Sequence, residues 1–145
     1  MNLRISQLAS AADVNVETVR YYERRGLLEK PVKPRQGWRV YGDDALRRIR
    51  FIKRAQGLGF SLDEISELLS LHARRNPGAC EQAVHATRAK IEEIDGKIAE
   101  LTGMRNELGS LVATCQRTGP SASCAILEAF DGAQATAQLD AVVTG

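Results

Sequence analysis

The stretch ISQLASAADVNVETVRYYERRG, residues 5–26, places apolar residues at helical spacing on both sides of a short polar break. Its first run, ISQLASAA, has Ser6 available as an N-cap. After Asp13 and Val14, Asn15 can cap a second helix that runs through VETVRYYERR and stops at Gly26. Two short helices joined by a tight break have the shape of a helix-turn-helix. In the second helix Val16 and Val19 face inward. That leaves Glu17, Thr18, Arg20 and Tyr21 near the exposed N-terminal half, the part that enters a major groove.

Working outward, Leu27 and Leu28 lead into a segment punctuated by Pro31, Pro34, Gly37 and Gly42. Between these lies RQGWRVY, whose Trp38, Val40 and β-prone flanks predict a short hairpin. Lys33, Arg35 and Arg39 give it positive charge, and the Tyr41 hydroxyl can bond phosphate. Beside a helix-turn-helix this reads as a wing that touches backbone rather than bases. Asp43 or Asp44 can start a third helix, ALRRIRFIKRAQ, which Gly57 and Gly59 end. Ser61 and Glu64 form a capping box that opens a fourth helix through Leu71.

The net charge of +2 conceals an asymmetry. Residues 1–60 hold 13 Lys/Arg against 6 Asp/Glu, whereas residues 61–145 hold 7 against 12. Such a split predicts an N-terminal part that meets a polyanion. In 145 residues with 43% hydrophobic and only 5% aromatic side chains, the expectation is a small domain plus an extended helical element. No apolar run approaches the roughly 20 residues that span a bilayer. The opening MNLRISQLAS lacks the layout of a secretory signal, so a cytoplasmic protein with no membrane partner is expected.

From Cys80 to Cys115 there is no proline, and a heptad register fits. Val84, Ile91, Ile98 and Val112 fall at a, and Thr87, Ile94, Leu101 and Leu108 at d; Arg105 is the exception at a. Gly96, Gly103 and Gly109 lie off this seam. A lone helix with so narrow an apolar stripe needs a partner, which makes the seam a homodimer interface. Cys80 and Cys115 are 35 residues apart, five heptads, and both sit at d. They therefore mark opposite ends of a helix about 50 Å long. One chain cannot bring both to a single ion, but an antiparallel pair brings Cys80 of one chain to Cys115 of the other. Cys124 follows after QRTGPSAS, where Gly119 and Pro120 permit a turn back. Each dimer then offers two sites of three thiols, Cys80, Cys115 and Cys124. Three thiolates without a carboxylate or imidazole suit a soft cation such as Hg(II), which tolerates fewer than four ligands, better than Zn(II). His72 and His85 are not expected to be ligands.

The strings NVETVRYYERRGLL (15–28), WRVYGDDALRRIRFIKRAQ (38–56) and LGFSLDEISELLSL (58–71) resemble the DNA-binding domain of the MerR family of transcription regulators. With the long helix and the cysteine pattern, the resemblance covers about residues 3–130 and is nearest the mercury-responsive members. It implies a mainly α protein: a winged helix-turn-helix followed by a dimerisation helix that forms an antiparallel coiled coil. It also implies double-stranded promoter DNA and RNA polymerase as partners. The apo dimer would hold an overlong promoter silent, and the metal-bound dimer would untwist it so that polymerase can use both promoter elements, a readout of DNA deformability. Carried onto this sequence, Thr18, Arg20 and Tyr21 are recognition-helix contacts, Arg35, Arg39 and Tyr41 wing and phosphate contacts, and Cys80, Cys115 and Cys124 the metal ligands. Lead-responsive relatives can share all three cysteines, so Pb(II), or less readily Cd(II) or Zn(II), stays open as the effector.

The expected order is a winged helix-turn-helix domain (1–71), a linker (72–79), a coiled-coil helix (80–115), a metal-binding loop and short helix (116–130) and a mobile tail (131–145). No nucleophile and base share a face, and there is no glycine-rich phosphate loop or paired carboxylate, so neither an enzyme nor an organic cofactor is expected. The reading from a different class is a DNA-architectural dimer whose cysteines are inert.

Overall fold

The computed structural model describes residues 2–118 and 124–132, and among these every regular element is a helix. In order they are α1 (Ile5–Ala11), α2 (Val16–Arg24), α3 (Asp43–Gly57), α4 (Leu62–Arg74), α5 (Pro77–Thr118) and α6 (Ala125–Asp131). The chain forms two compact units, Met1–Lys90 and Ile91–Gly145, whose boundary falls within α5.

In the first unit α1 starts earlier than the serine at position 6 suggests. Arg4 takes the N-cap position, and the Gln7 side chain accepts its backbone N–H at 2.8 Å. The cap of α2 is the expected one: Asn15 Oδ1 accepts the Thr18 backbone N–H at 2.8 Å. Gly26, with φ +74, ends that helix in the left-handed region. The core gathers Leu8, Val19, Leu27, Ile49, Ile52 and Ile65, each with at most 2% exposure, from α1, α2, α3, α4 and the turn after α2. Ile49, Ile52 and Ala55 recur at helical spacing, which aims one face of α3 into this core. Lys53 Nζ donates to the carbonyls of Ala12 and Asp13, 3.0 Å each, and so holds the helix-turn-helix break against α3.

The hairpin expected around RQGWRVY does not form. Tyr41 instead makes an antiparallel bridge with Leu3, through N–H···O bonds of 2.9 and 2.7 Å. Two prolines remove ladder donors from the segment. Arg39 Nε donates to the Pro31 carbonyl at 3.0 Å, a side-chain tie where a strand would use backbone. The wing is an irregular loop pinned at its end to the start of the chain.

The capping box on α4 is complete, with Ser61 N–H donating to Glu64 Oε1 at 2.7 Å and Glu64 N–H to Ser61 Oγ at 3.2 Å. Only Arg75, in the left-handed region at φ 50, and Asn76 separate α4 from α5. Asn76 Oδ1 accepts the Ala79 N–H at 2.7 Å and Pro77 stands at the first helical position, so α5 begins ahead of Cys80.

In the second unit α5 runs on to Thr118 and α6 follows. Ile91, Ile94, Ile98, Leu101, Leu108 and Val112 are 39–63% exposed, an apolar stripe that nothing among the described residues of one chain covers. No described helix is long and apolar enough to cross a membrane. The expected turn at Gly119–Pro120 and most of the expected mobile tail lie outside the described residues.

Candidate nucleic-acid interface and metal site

Helix α2 presents its polar face by construction, because Val19 and Tyr22 are drawn into the core. Arg20 extends from that face, its side chain 56% exposed and paired with Glu17 at 3.6 Å. An exposed pair of this kind is worth little, so the guanidinium is available to a ligand. Thr18 is turned differently from a free contact: its hydroxyl donates to Asn15 Oδ1 at 2.9 Å. Tyr21 is 39% exposed, and its hydroxyl accepts from Arg25 at 3.0 Å. Arg24 and Arg25 both stand 5.8 Å from the Tyr21 ring centroid, within cation–π reach.

The wing loop closes one side of an open cleft of about 690 Å³. Arg4, Arg20, Arg24, Lys30, Lys33 and Arg39 line it, a concentration of positive charge with no carboxylate among the lining residues. The Arg4 guanidinium lies 4.7 Å from the Trp38 ring centroid, which fixes it at the cleft wall. Arg35 is exposed on the same loop. Tyr41 departs from the surface role expected of it. It is 3% exposed, and its hydroxyl donates to Glu23 Oε2 at 3.0 Å. Burial, then Glu23, pushes its pKa up to about 12. Tyr41 anchors the wing to α2, and the groups that face outward are arginines and lysines. Sequence reasoning missed Arg4, Arg24, Lys30 and the stacking of Trp38. The charge excess of residues 1–60 contained that signal without placing it.

Cys115 sits in the last turn of α5 and Cys124 directly before α6. The backbone amides of Leu127 and then Ile126 hold the Cys124 thiol below its ordinary pKa; Cys115 adds to this, and burial opposes it. Cys115 is thus a hydrogen-bonding neighbour of the Cys124 thiol. Cys80 is exposed at the start of α5, its N–H donating to the Asn76 carbonyl at 3.3 Å. It borders a groove of about 300 Å³ that includes Phe51, Leu68, Leu71 and His72. His72 stacks on Phe51, with centroids 5.7 Å apart. Among the described residues of one chain no three potential ligands cluster.

Residues 3–71 match the domain described as MerR HTH family regulatory protein, and residues 46–111 the one described as MerR, DNA binding. The chain is 41% identical over 141 residues to the mercuric resistance operon regulatory protein of Serratia marcescens, across 97% of this chain and 96% of that one. The chain belongs to the MerR family. Two solved MerR-family regulators extend the likeness. PbrR691 from Ralstonia metallidurans CH34, in complex with lead(II), has a TM-score of 0.76 and 35% identity over 88% of this chain and 98% of its own. MerR from Bacillus megaterium MB1, in complex with mercury(II), has a TM-score of 0.71 and 36% identity over 90% of this chain and 100% of its own. This MerR-family chain is a metal-responsive transcription regulator, not an enzyme. Regulators of the family bind promoter DNA as dimers.

Proposed function

We propose that the chain is a mercury(II)-switched regulator that occupies its promoter as a homodimer joined by an antiparallel coiled coil. It represses when metal-free and activates by distorting the DNA for RNA polymerase once the metal is bound. The observation that carries this reading is the division of the cysteines. Cys115, in the last turn of α5, neighbours Cys124, while Cys80 lies in the first turns of the same helix, five heptads earlier in the sequence. An antiparallel partner supplies the missing third thiol at each end. A bound soft cation contributes a strong bond to each thiolate. The chain's own part is to deliver thiolates, and the α6 amides lower the Cys124 thiol's pKa, which eases its deprotonation.

On the DNA side, Thr18, Arg20 and Tyr21 meet the major groove, and Arg35 and Arg39 meet phosphates, with Tyr41 acting through the anchorage of the wing. Replacing Arg20 by alanine is expected to weaken specific operator binding by roughly 10- to 100-fold, the range of one good base contact. Metal uptake and dimerisation stay as in wild type. Fluorescence anisotropy with operator and scrambled duplexes checks this.

Lead is the second reading, favoured by the likeness to lead-bound PbrR691. Titration of the reduced dimer with mercury, lead, cadmium and zinc against a competing small thiol tests both. Mercury binding at two per dimer, with three-thiolate absorbance lost on replacing any one cysteine, supports the proposal. Preference for lead at that stoichiometry changes the effector alone. No uptake of any metal overturns the proposed metal site and leaves a DNA-architectural dimer with inert cysteines.

A further inference from the structure

Lys90 is the one buried charged side chain among the described residues, at 6% exposure. Its neighbours Arg88, Ala89 and Ile91 on α5 are all exposed. Its Nζ lies 2.9 Å from Glu64 Oε1 and 5.6 Å from the Phe60 ring centroid. Its Cδ lies 3.7 Å from the point where a Cβ on Gly59 would stand. All three contacts fall on the join between α3 and α4, and Glu64 is the same carboxylate that closes the α4 capping box. The next residue back along the chain continues outward. Asp63 Oδ1 accepts from Arg25 Nη2 at 2.9 Å, and Arg25 Nη1 donates to the Tyr21 hydroxyl at 3.0 Å. A path thus runs from the long helix to the first turn of α4 through Lys90 and Glu64, along the backbone from Glu64 to Asp63, and on to the end of the recognition helix through the solvent-exposed Asp63–Arg25 pair.

Stability does not account for a lysine at this place. Burying an ammonium carries a desolvation penalty, and an apolar side chain of similar shape fills such a slot at equal or lower cost. Methionine would lie along Gly59 and Phe60 as the lysine stem does. What only the ammonium adds is direction, because its hydrogen bond to Glu64 fixes where α5 stands along the start of α4. Ser61 and then Lys90 hold the Glu64 carboxyl down at about 2, so this carboxylate stays ionised throughout the neutral and mildly acidic range.

We infer that Lys90 is a positioning residue of the metal response, tying the α3–α4 join and, through Asp63 and Arg25, the recognition helix to α5. This rests on the metal-switched reading above. Movement of α5 is passed to the first turn of α4 through the directional Lys90–Glu64 bond rather than through apolar contact that can slip, and from there along the chain to Asp63 and Arg25.

The test uses the full-length dimer, a promoter fragment selected by the wild type, and 2-aminopurine at the promoter centre to report DNA distortion. With mercury(II) or lead(II), whichever the wild type takes up, K90M should keep metal stoichiometry and metal-free operator affinity within about threefold. Its metal-dependent distortion should fall about tenfold, the size of an ordinary coupling between sites. K90R should restore most of the response, and K90M/E64Q should be no worse than K90M alone, as expected of two residues on one path. Wild-type distortion by K90M overturns the inference. So does a loss of metal-free operator binding that matches the loss of response, since that marks a merely structural lysine. Failure of the wild type to respond to either metal falls on the functional proposal instead. In that event hydrogen exchange of the metal-free dimer decides the path: K90M should speed exchange at residues 23–28, and unchanged exchange there overturns it.

Discussion

Dimers carrying Cys80→Ala and dimers carrying Cys115→Ala, each lacking three-thiolate metal binding, are expected to regain it when their subunits are mixed. A mixed dimer takes Cys80 from one chain and Cys115 with Cys124 from the other, so one of its two sites is whole and the other loses two ligands. Random exchange at equal concentration makes about half of the dimers mixed, which restores about a quarter of the wild-type site number for a two-fold symmetric pair. Absorbance of the three-coordinate complex is the right measure. The thiols that remain in Cys80→Ala can still hold mercury as a two-coordinate ion, and a small competing thiol in excess removes that contribution. Recovery also has to appear in transcription from the promoter. If mixing restores nothing, the ligands do not come from two antiparallel chains, and the five-heptad spacing of Cys80 and Cys115 has another cause.

Ile98→Glu is expected to separate the subunits. Ile98 lies near the middle of the stretch between Cys80 and Cys115 and is 56% exposed in the single chain. In an antiparallel pair the two copies approach the symmetry axis, so the substitution buries two like charges near each other. Unpaired buried charge costs about 3 kcal/mol or more per site, enough to raise the dimer dissociation constant well over 100-fold. Sedimentation equilibrium reads the outcome directly. Val32→Glu is the control, since Val32 is 92% exposed and off the seam; it should leave the dimer as it is. A dimer that survives Ile98→Glu would place the subunit interface elsewhere.

What could be read from sequence was what is encoded locally. Asn15 and the Ser61–Glu64 box are contiguous signals whose hydrogen bonds close within three residues, and both form. The apolar seam of α5 and the spacing of its cysteines follow from helical period alone. The wing was misread because its end pairs across the chain, Tyr41 with Leu3, and a hairpin pattern cannot show a partner 38 residues away. The burial of Tyr41 follows from the same pairing, and so does the place of Arg4 in the basic cleft. Ser6 was a reasonable cap by type, but Gln7 reaching back to Arg4 sets the start of α1 two residues earlier. Lys90 was hidden for a related reason. It sits beside the a/d seam, where charged residues are ordinarily solvated, and only the packing of the α3–α4 join reveals its burial.

Gly96 and Gly103 have a consequence for how the rod behaves under load. Each lies on the side of α5 away from the seam, and a methyl group added at either would meet nothing within 4 Å in the single chain. Alanine at each would favour the helix by about 1 kcal/mol. The helix is thus softer than its packing requires, at two points one heptad apart, between Cys80 and Cys115. A stiff rod would deliver any change at its ends as rigid rotation. A compliant one can absorb part of it as bending, so on the proposed metal-switched mechanism these glycines limit how much torsion reaches the promoter.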